Sequence, residues 1–359
     1  MASRTSYNLP EFQWGNHRPL IEVNGLQKDF KTLAGPTRVL KDIHLEIRAG
    51  EFVSIIGRSG SGKSTLINML TGIDHPTAGT VRIGDTVLEA LPEGKMAEWR
   101  GKTLGIVFQF FQLLPTLTLM ENVLLPMDFC RMYPLAQRLE RAVYLLSLVG
   151  LADWADMLPG AVSGGQQQCA AVARALSNDP PILVADEPTG NLDSASAEGV
   201  LTLFETLVTQ GKTILMVTHD RNLAKRAGRQ VLLSDGVIVD AAVVSAFAGL
   251  ADEKLLQLSQ NSMAVVVQPG DVIEGTDPHG SAGVLVVRKG ALRVENCFGL
   301  PESISTGEWL DLRWMAAHCP GATLAVAGSA PVEVLRIDGD YFDSVAGPHH
   351  HFDPNRGLA

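Results

Sequence analysis

From residue 20 onward the chain alternates two textures. Short apolar runs of strand length give way to stretches in which apolar residues recur every three or four positions, the period of an amphipathic helix. Residues 20–23 read as a first strand, residues 25–30 lead out of another short strand, and residues 39–47 alternate as a half-buried strand does. Residues 52–56, 103–108, 182–185 and 213–217 are runs predicted to be strands buried on both faces. A hairpin is predicted from residues 80–83 and 85–88 around Gly84. Helices are predicted over residues 66–70, over most of 116–158 with breaks at Pro126, Pro134 and Gly150, and over 165–176 and 194–209. Strands alternating with helices imply a largely parallel sheet with helices on both faces.

Near residue 240 the texture changes. One helix is followed by short strands at 265–267, 283–289, 291–295, 323–327 and 332–337, separated by turns containing Gly or Pro. Such spacing predicts a small β-barrel or β-roll. The Asp235-Gly236 hairpin closes the first region. The expected organisation is a lead-in over 1–19, one domain over 20–240, a second over 241–347 and a tail over 348–359. Two domains suit a length of 359 residues.

Composition narrows the class. A hydrophobic fraction of 46% against 19% charged residues supplies a sizeable core and argues against disorder. A formal net charge of −10 argues against a general nucleic-acid binder, so no nucleic-acid partner is expected. Cys130, Cys169, Cys297 and Cys319 lie far apart with no CxxC pair, and read as reduced thiols rather than a disulfide framework or a zinc site. Residues 1–15 contain no apolar core of signal-peptide length, and no stretch approaches the 18 apolar residues of a membrane span. A membrane component, if the protein serves one, is expected on another chain.

The chemistry centres on Gly57-Arg58-Ser59-Gly60-Ser61-Gly62-Lys63-Ser64-Thr65, which has the G-x-x-x-x-G-K-[ST] spacing between a predicted buried strand and a predicted helix. Glycines at Gly57, Gly60 and Gly62 let backbone N–H groups turn inward around a phosphate, and the helix start adds positive potential. Ser59, Ser61 and Thr65 complete the loop. Lys63 is expected at the β- and γ-phosphates, and the Ser64 hydroxyl at Mg²⁺. Residues 182–186 end a second buried strand in Asp186, placed to orient Mg²⁺ through its water shell. Glu187, one residue further on, is expected to polarise the water that attacks the γ-phosphate. Ser163-Gly164-Gly165-Gln166 opens a helix, with Ser163 a fair N-cap, and forms a second anion site.

Together with Pro188-Thr189-Gly190-Asn191-Leu192-Asp193 and Thr218-His219-Asp220, these motifs resemble an ABC-transporter ATPase subunit over about residues 20–240. The resemblance implies an α/β P-loop NTPase with a RecA-like core, an antiparallel β subdomain and a helical subdomain. It implies an ATPase that binds ATP and Mg²⁺ between two subunits, the P-loop of one facing Ser163, Gly164, Gly165 and Gln166 of the other. By the same resemblance Gln109 touches Mg²⁺ and couples to the transport partner. His219 contacts the γ-phosphate, Asp193 lies in the D-loop, and Phe30 stacks on adenine. Taken singly, Gln109 and His219 also read as solvated strand ends, and Phe30 as a core ring.

Residues 108–118, with Glu121-Asn122-Val123 and the triple Gln166-Gln167-Gln168, resemble the lipoprotein-release, macrolide-export and cell-division (FtsE-like) branch. That branch implies a homodimer at the cytoplasmic face of the inner or plasma membrane, held there through a separate integral membrane permease of the FtsX-like type. Cys169 departs from the pattern, standing where the branch usually has Arg or Lys. A soluble ATPase acting on DNA or ribosomes and a slow regulatory nucleotide-binding module are the competing readings.

The second region, over about residues 243–346, resembles a cyclic-nucleotide-binding β-roll. The likeness rests on residues 247–250, 267–273 and 284–290, with Gly307-Glu308 like the start of a phosphate cassette. The cassette Arg after Pro is replaced here by Gly321 after Pro320, so the region is expected to fold this way without binding a cyclic nucleotide. Arg313 is the residue that could substitute. A metal role for His349-His350-His351 with Asp353 has only a solvated tail as its alternative, and the tail is the preferred reading.

Overall fold

A computed structural model describes residues 18–33, 35–190, 192–274, 283–297 and 300–347. The lead-in up to residue 17, Asn191, and the tail from residue 348 with its histidine triplet lie outside the described residues. The chain divides into two compact units, Met1–Gln230 and Val231–Ala359.

Unit 1 begins with β1 (Ile21–Thr32), β2 (Gly35–Ile47), β3 (Phe52–Ile56) and α1 (Lys63–Leu70). β4 (Ala78–Ile83), β5 (Thr86–Val87), α2 (Glu93–Thr103) and β6 (Leu104–Val107) follow. Then come α3 (Leu119–Cys130), α4 (Leu135–Leu148), α5 (Gly164–Ala175), β7 (Ile182–Asp186), α6 (Ser194–Thr209), β8 (Thr213–Thr218) and α7 (Arg221–Ala224).

An antiparallel sheet of order β2-β1-β4-β5 carries the first residues. The sequence predicts two strands before residue 32, but the chain forms one. Gly25, at φ 60°, lets the backbone bulge within β1 rather than break it. Gly79, at φ 85°, comes so close to this bulge that a Cβ would lie 2.3 Å from the Gly25 carbonyl oxygen.

Four parallel strands in the order β3-β8-β7-β6 form the centre of unit 1. Their burial on both faces explains why they read as unbroken apolar runs rather than alternating ones. Beside them a core joins Phe52, Val107, Val123, Leu145, Val172, Phe204 and Met216. Phe204 of α6 meets Phe52 of β3 edge to face, with ring centroids 6.3 Å apart.

Helix α3 runs through Pro126, where the sequence predicts a break. An interior proline costs about 3 kcal/mol. Burial of Leu119, Val123 and Met127 outweighs that cost, and Thr118 with Glu121 closes a capping box at the N-terminus. Pro134 does bound a helix, standing at the N-cap of α4. Arg141 of α4 is buried and donates to the carbonyls of Leu176 and Ser177 just past α5. It thereby closes the C-terminal end of α5, where a cation also complements the helix dipole.

The division between the units falls within β9 (Arg229–Ser234), which pairs antiparallel with β10 (Val237–Ile238). Asp235 and Gly236 both have left-handed φ, 47° and 73°, as a two-residue hairpin turn requires. Unit 2 continues with α8 (Ala241–Ala246), α9 (Asp252–Gln260), β11 (Ser262–Val267), β12 (Val272–Glu274), β13 (Gly283–Lys289) and β14 (Ala291–Glu295). It ends with β15 (Ser303–Ser305), β16 (Trp309–Asp311), α10 (Leu312–His318), β17 (Thr323–Val326), β18 (Val332–Asp338) and α11 (Gly339–Ala346).

Two four-stranded antiparallel sheets, β11-β18-β13-β16 and β12-β17-β14-β15, share one core. Val267, Leu285, Leu292, Leu310, Met315, Leu324 and Val334 meet there. Phe247, Trp309 and Phe342 form an aromatic cluster, with centroids 5.1 to 5.7 Å apart. The reading of all four cysteines as reduced thiols is corrected here. Cys297, just past β14, and Cys319, at the end of α10, are disulfide-bonded with their Cα atoms 5.3 Å apart. Their separation of 22 residues hid the pairing, which only the closing of the chain around the shared core creates. Cys130 and Cys169 are free.

Candidate active site

The four parallel strands end in register: Ile56 lies beside Thr218, Val217 beside Asp186, and Ala185 beside Val107. Their C-terminal ends therefore open on one edge of the sheet, the position where open α/β sheets bind ligands. Gly57 follows β3, Glu187 follows β7, His219 follows β8, and Gln109 stands two residues past β6. Sequence positions as far apart as 57 and 219 meet because parallel strands carry them to the same edge.

The loop after β3 turns at Gly60 (φ 81°) and Gly62 (φ 104°), and Gly62 is the N-cap of α1. No side chain caps this helix, so its first N–H groups remain available to an anion. A Cβ at Gly62 would press on Leu40 at 3.0 Å and on the Val39 carbonyl at 3.2 Å, both in β2. A Cβ at Gly60 would meet nothing within 4 Å. Ser59 and Gly60 are exposed, whereas Gly57, Ser61 and Gly62 are buried. Lys63 is buried and curls back over the loop, its Nζ donating to the carbonyls of Gly57 at 2.7 Å and Arg58 at 2.9 Å. Ser64 and Thr65 occupy the next two positions of α1.

Asp186 ends β7, and the Ser64 hydroxyl donates to its carboxylate. Burial pushes the Asp186 carboxyl above its ordinary value, the Ser64 hydrogen bond opposes this, and the neighbouring Glu187 charge adds to it. Asp186 Oδ1 and Ser61 Oγ are buried without a hydrogen-bond partner among the described residues. Buried polar atoms are normally satisfied. Two orphaned oxygens beside a hydroxyl, a carboxylate and an ammonium group fit a triphosphate with a hard divalent cation.

Glu187 has φ 48°, a costly conformation for a non-glycine residue. The peptide links on either side explain how it is held: its N–H donates to the Val217 carbonyl of β8 at 2.9 Å, and its own carbonyl accepts from Gly190 at 3.2 Å. Its side chain is only 11% exposed and its Oε1 lies 2.8 Å from Nδ1 of His219, whose ring is exposed. A carboxylate so tied to an imidazole can take up a proton at one face while the ring's other nitrogen points elsewhere.

Ser163 is the N-cap of α5, as its sequence context predicts. It forms a reciprocal capping box with Gln166: Ser163 Oγ accepts from the Gln166 N–H at 3.2 Å, and Gln166 Oε1 accepts from the Ser163 N–H at 2.9 Å. Gly164 and Gly165 form the first turn, and a Cβ at Gly165 would lie 3.3 Å from Ser196 Oγ. Asp193 caps α6, and hydrogen bonds from the Ser196 backbone and hydroxyl hold its carboxyl below the usual range. Cys169 packs its thiol against the helical core, and burial raises its pKa. A half-buried apolar contact thus stands where a cation was expected. Phe30 on β1 is 40% exposed, and Lys28 Nζ stacks over its ring at 5.1 Å.

Two residues hold this region by contacts that the motifs do not state, Arg174, which no motif includes, and Asn122 of the Glu121-Asn122-Val123 motif. Arg174, in the last turn of α5, donates to the carbonyls of Phe111 (2.8 Å) and Gln112. Both acceptors sit in left-handed conformations, φ 53° and 55°, a few residues past Gln109. Burial lowers the Arg174 pKa. The helix that starts at Ser163 therefore clamps the loop that carries Gln109. Asn122 is fully buried in α3 and bonds the same loop's exit, donating to Leu114, Leu117 and Thr118 carbonyls and accepting from the Leu114 N–H. A lone Asn among apolar helix positions was the available signal, since a buried amide must find partners.

Comparison with known proteins agrees with this geometry. Residues 40–190 match the ABC transporter family model. The chain is 44% identical over 220 residues to the uncharacterised ABC transporter ATP-binding protein YvrO of Bacillus subtilis, covering 61% of this chain and 96% of that protein. It is equally similar, 44% over 220 residues, to the lipoprotein-releasing system ATP-binding protein LolD of Bacteroides thetaiotaomicron, covering 61% of this chain and 99% of that one. It is 46% identical over 222 residues to the macrolide export ATP-binding/permease protein MacB of Rhodospirillum rubrum. That match covers 62% of this chain but spans only about a third, 34%, of the exporter's length. Among solved structures, the ATP-binding cassette MJ0796 in a dimeric post-hydrolysis state with ADP and Pi aligns with a TM-score of 0.58 at 40% identity. That alignment covers 61% of this chain and 96% of the cassette.

Proposed function

This chain belongs to the ABC transporter ATP-binding family, in the branch that includes LolD, MacB and YvrO, and from that premise we propose that it hydrolyses ATP as a homodimer to drive a separate membrane permease of the FtsX-like type. No helix among the described residues is long and apolar enough to cross a membrane. The protein would then work at the cytoplasmic face, held there by its permease. The observation that carries the reading is the convergence of Lys63, Ser64, Asp186, Glu187 and His219 at one sheet edge, with Glu187 and His219 already 2.8 Å apart.

Each side chain has work that its position suits. Released from the Gly57 and Arg58 carbonyls, Lys63 would bind the β- and γ-phosphates, and the N–H groups at the start of α1 would bind the phosphate oxygens. Ser64, Asp186 and Gln109 would hold Mg²⁺, which when bound neutralises charge on the phosphates. Glu187 would accept the proton of the attacking water, and His219 would fix the Glu187 carboxylate and reach the γ-phosphate. Ser163, Gly164, Gly165 and Gln166 would close the site from the second subunit, with Asp193 at the same interface, and Phe30 would stack on the base.

Substitution of Glu187 tests the chemistry. Glu187→Gln keeps the shape and removes the base, so phosphate release should fall about 10²–10⁴-fold while ATP binding persists. Near-normal phosphate release by the purified variant would contradict the role.

Unit 2 is proposed to be a β-roll of the cyclic-nucleotide-binding kind that has lost the ligand. In support, Arg313, the cation named above as able to replace the missing cassette arginine, is bound by the Asp311 and Asp343 carboxylates, whose hydrogen bonds raise its pKa. Glu308 is engaged as well, accepting from the Ser305 N–H at 2.6 Å.

A further inference from the structure

Unit 2 carries a strand edge that no described strand pairs with. β11 ends the order β11-β18-β13-β16 and is bonded to β18 alone. In an antiparallel pair every second residue turns its N–H and C=O away from the partner, so the outer side of β11 presents a row of such groups. Its sequence, Ser-Met-Ala-Val-Val-Val, contains no charge and no proline. Met263 is 60% exposed and Val266 54%. Val267 and Val265 meanwhile pack toward the core, which fixes the register and holds the strand flat against its sheet.

Native proteins ordinarily blunt such edges by shortening them, or with charges, proline or bulges. The other end strands of these two sheets follow that rule: β12, β15 and β16 are three residues each. β11 is six residues long and pairs with β18 without a register shift. An edge left open in this way is suited to receive another strand.

We propose that β11 is a strand-addition surface for β11 of a second copy of this chain, joining two four-stranded sheets into one continuous sheet across the dimer. The choice of a second copy rests on three points. A two-fold contact needs a self-complementary surface, and an antiparallel strand pair is one. A strand without charges can face itself without opposing like charges, which a charged edge could not do. The solved cassettes that align with unit 1 are dimeric, so a second unit 2 is tethered nearby at high effective concentration. The third point rests on the homodimer reading above; the first two do not.

The test separates the two contacts by nucleotide. Lys63→Ala, studied as the full chain without nucleotide, removes the ATP sandwich from consideration. Sedimentation should show twice the monomer mass. Adding Ala264→Lys and Val266→Lys, both at exposed positions, should halve that mass without changing the far-ultraviolet circular dichroism, and the amides of 262–267 that turn away from β18 should exchange faster. A monomer before those lysines are added, a dimer indifferent to them, or protection in a monomer of those amides of 262–267 that turn away from β18 would each overturn the proposal. The last would mean that another part of the same chain holds the strand. In a Glu187→Gln background the same two lysines should leave ATP-dependent dimerisation intact, because that contact belongs to unit 1. If ATP fails to dimerise the Glu187→Gln protein carrying the two lysines, while the nucleotide-free dimer forms without those lysines and is lost with them, the cassette reading fails and the strand pairing stands.

Discussion

Asp186 bears a cost that the fold by itself gains nothing from. Its buried Oδ1 has no hydrogen-bond partner among the described residues, and burial raises its pKa above the ordinary 3.8. A carboxyl whose folded pKa exceeds its unfolded one favours folding only while protonated. Its contribution is full below the unfolded value and is lost as pH rises through the folded value. At neutral pH the charge is therefore a liability, and Asp186→Asn should raise the melting temperature of the nucleotide-free protein there while abolishing Mg²⁺-dependent hydrolysis. The gain should shrink as pH falls toward the unfolded value. Thermal melts of both proteins across pH check this, and equal melting at neutral pH would sink the idea. Such residues were legible in the sequence because an acid at the end of an apolar run is chemically out of place. The left-handed backbone of Glu187 was not legible, since it depends on the neighbouring strand's Val217 carbonyl.

At the scale of elements, helix α5 does two jobs. Its N-terminus presents Ser163 and Gly164, and its C-terminal Arg174 holds the loop beyond Gln109 through the Phe111 and Gln112 carbonyls. Removing the guanidinium leaves two loop carbonyls unpaired, at about 1–3 kcal/mol for each that stays buried. Arg174→Ala should therefore loosen residues 108–114 and lower turnover, with Arg174→Lys recovering part of both. Amide exchange over that loop is the readout, and unchanged exchange in the alanine variant would contradict the clamp. The periodicity predicted α5 and α6 almost to the residue, because caps and apolar spacing are local signals. It failed at Pro126, where burial of α3 outweighs a local rule, and at β1, where one glycine bulges a strand instead of ending it. The Arg174 clamp spans about sixty residues of sequence, and no local pattern encodes it.

At the scale of the whole molecule, the ATP-site motifs and the change of texture near residue 240 were visible because each is written in contiguous residues. The Cys297–Cys319 bond and the engagement of Arg313 arise only when unit 2 closes on its core. Arg313 can meet a cyclic phosphate only by giving up Asp311 and Asp343, so calorimetry of Lys63→Ala full-length protein with cyclic AMP should show no saturable heat. Micromolar binding abolished by Arg313→Ala would reverse that view of unit 2. We propose that ATP is hydrolysed between two copies of this chain, Lys63 of one facing Ser163 of the other. Phosphate release from an equal mixture of Lys63→Ala and Ser163→Arg, compared with each variant alone, tests it most directly. Each variant alone should stay at background. The mixture should recover up to about a quarter of wild-type turnover if subunits exchange at random, since half the dimers would then hold one intact site of two. A mixture no more active than its two parts, or a Ser163→Arg protein as active as wild type, would contradict the account.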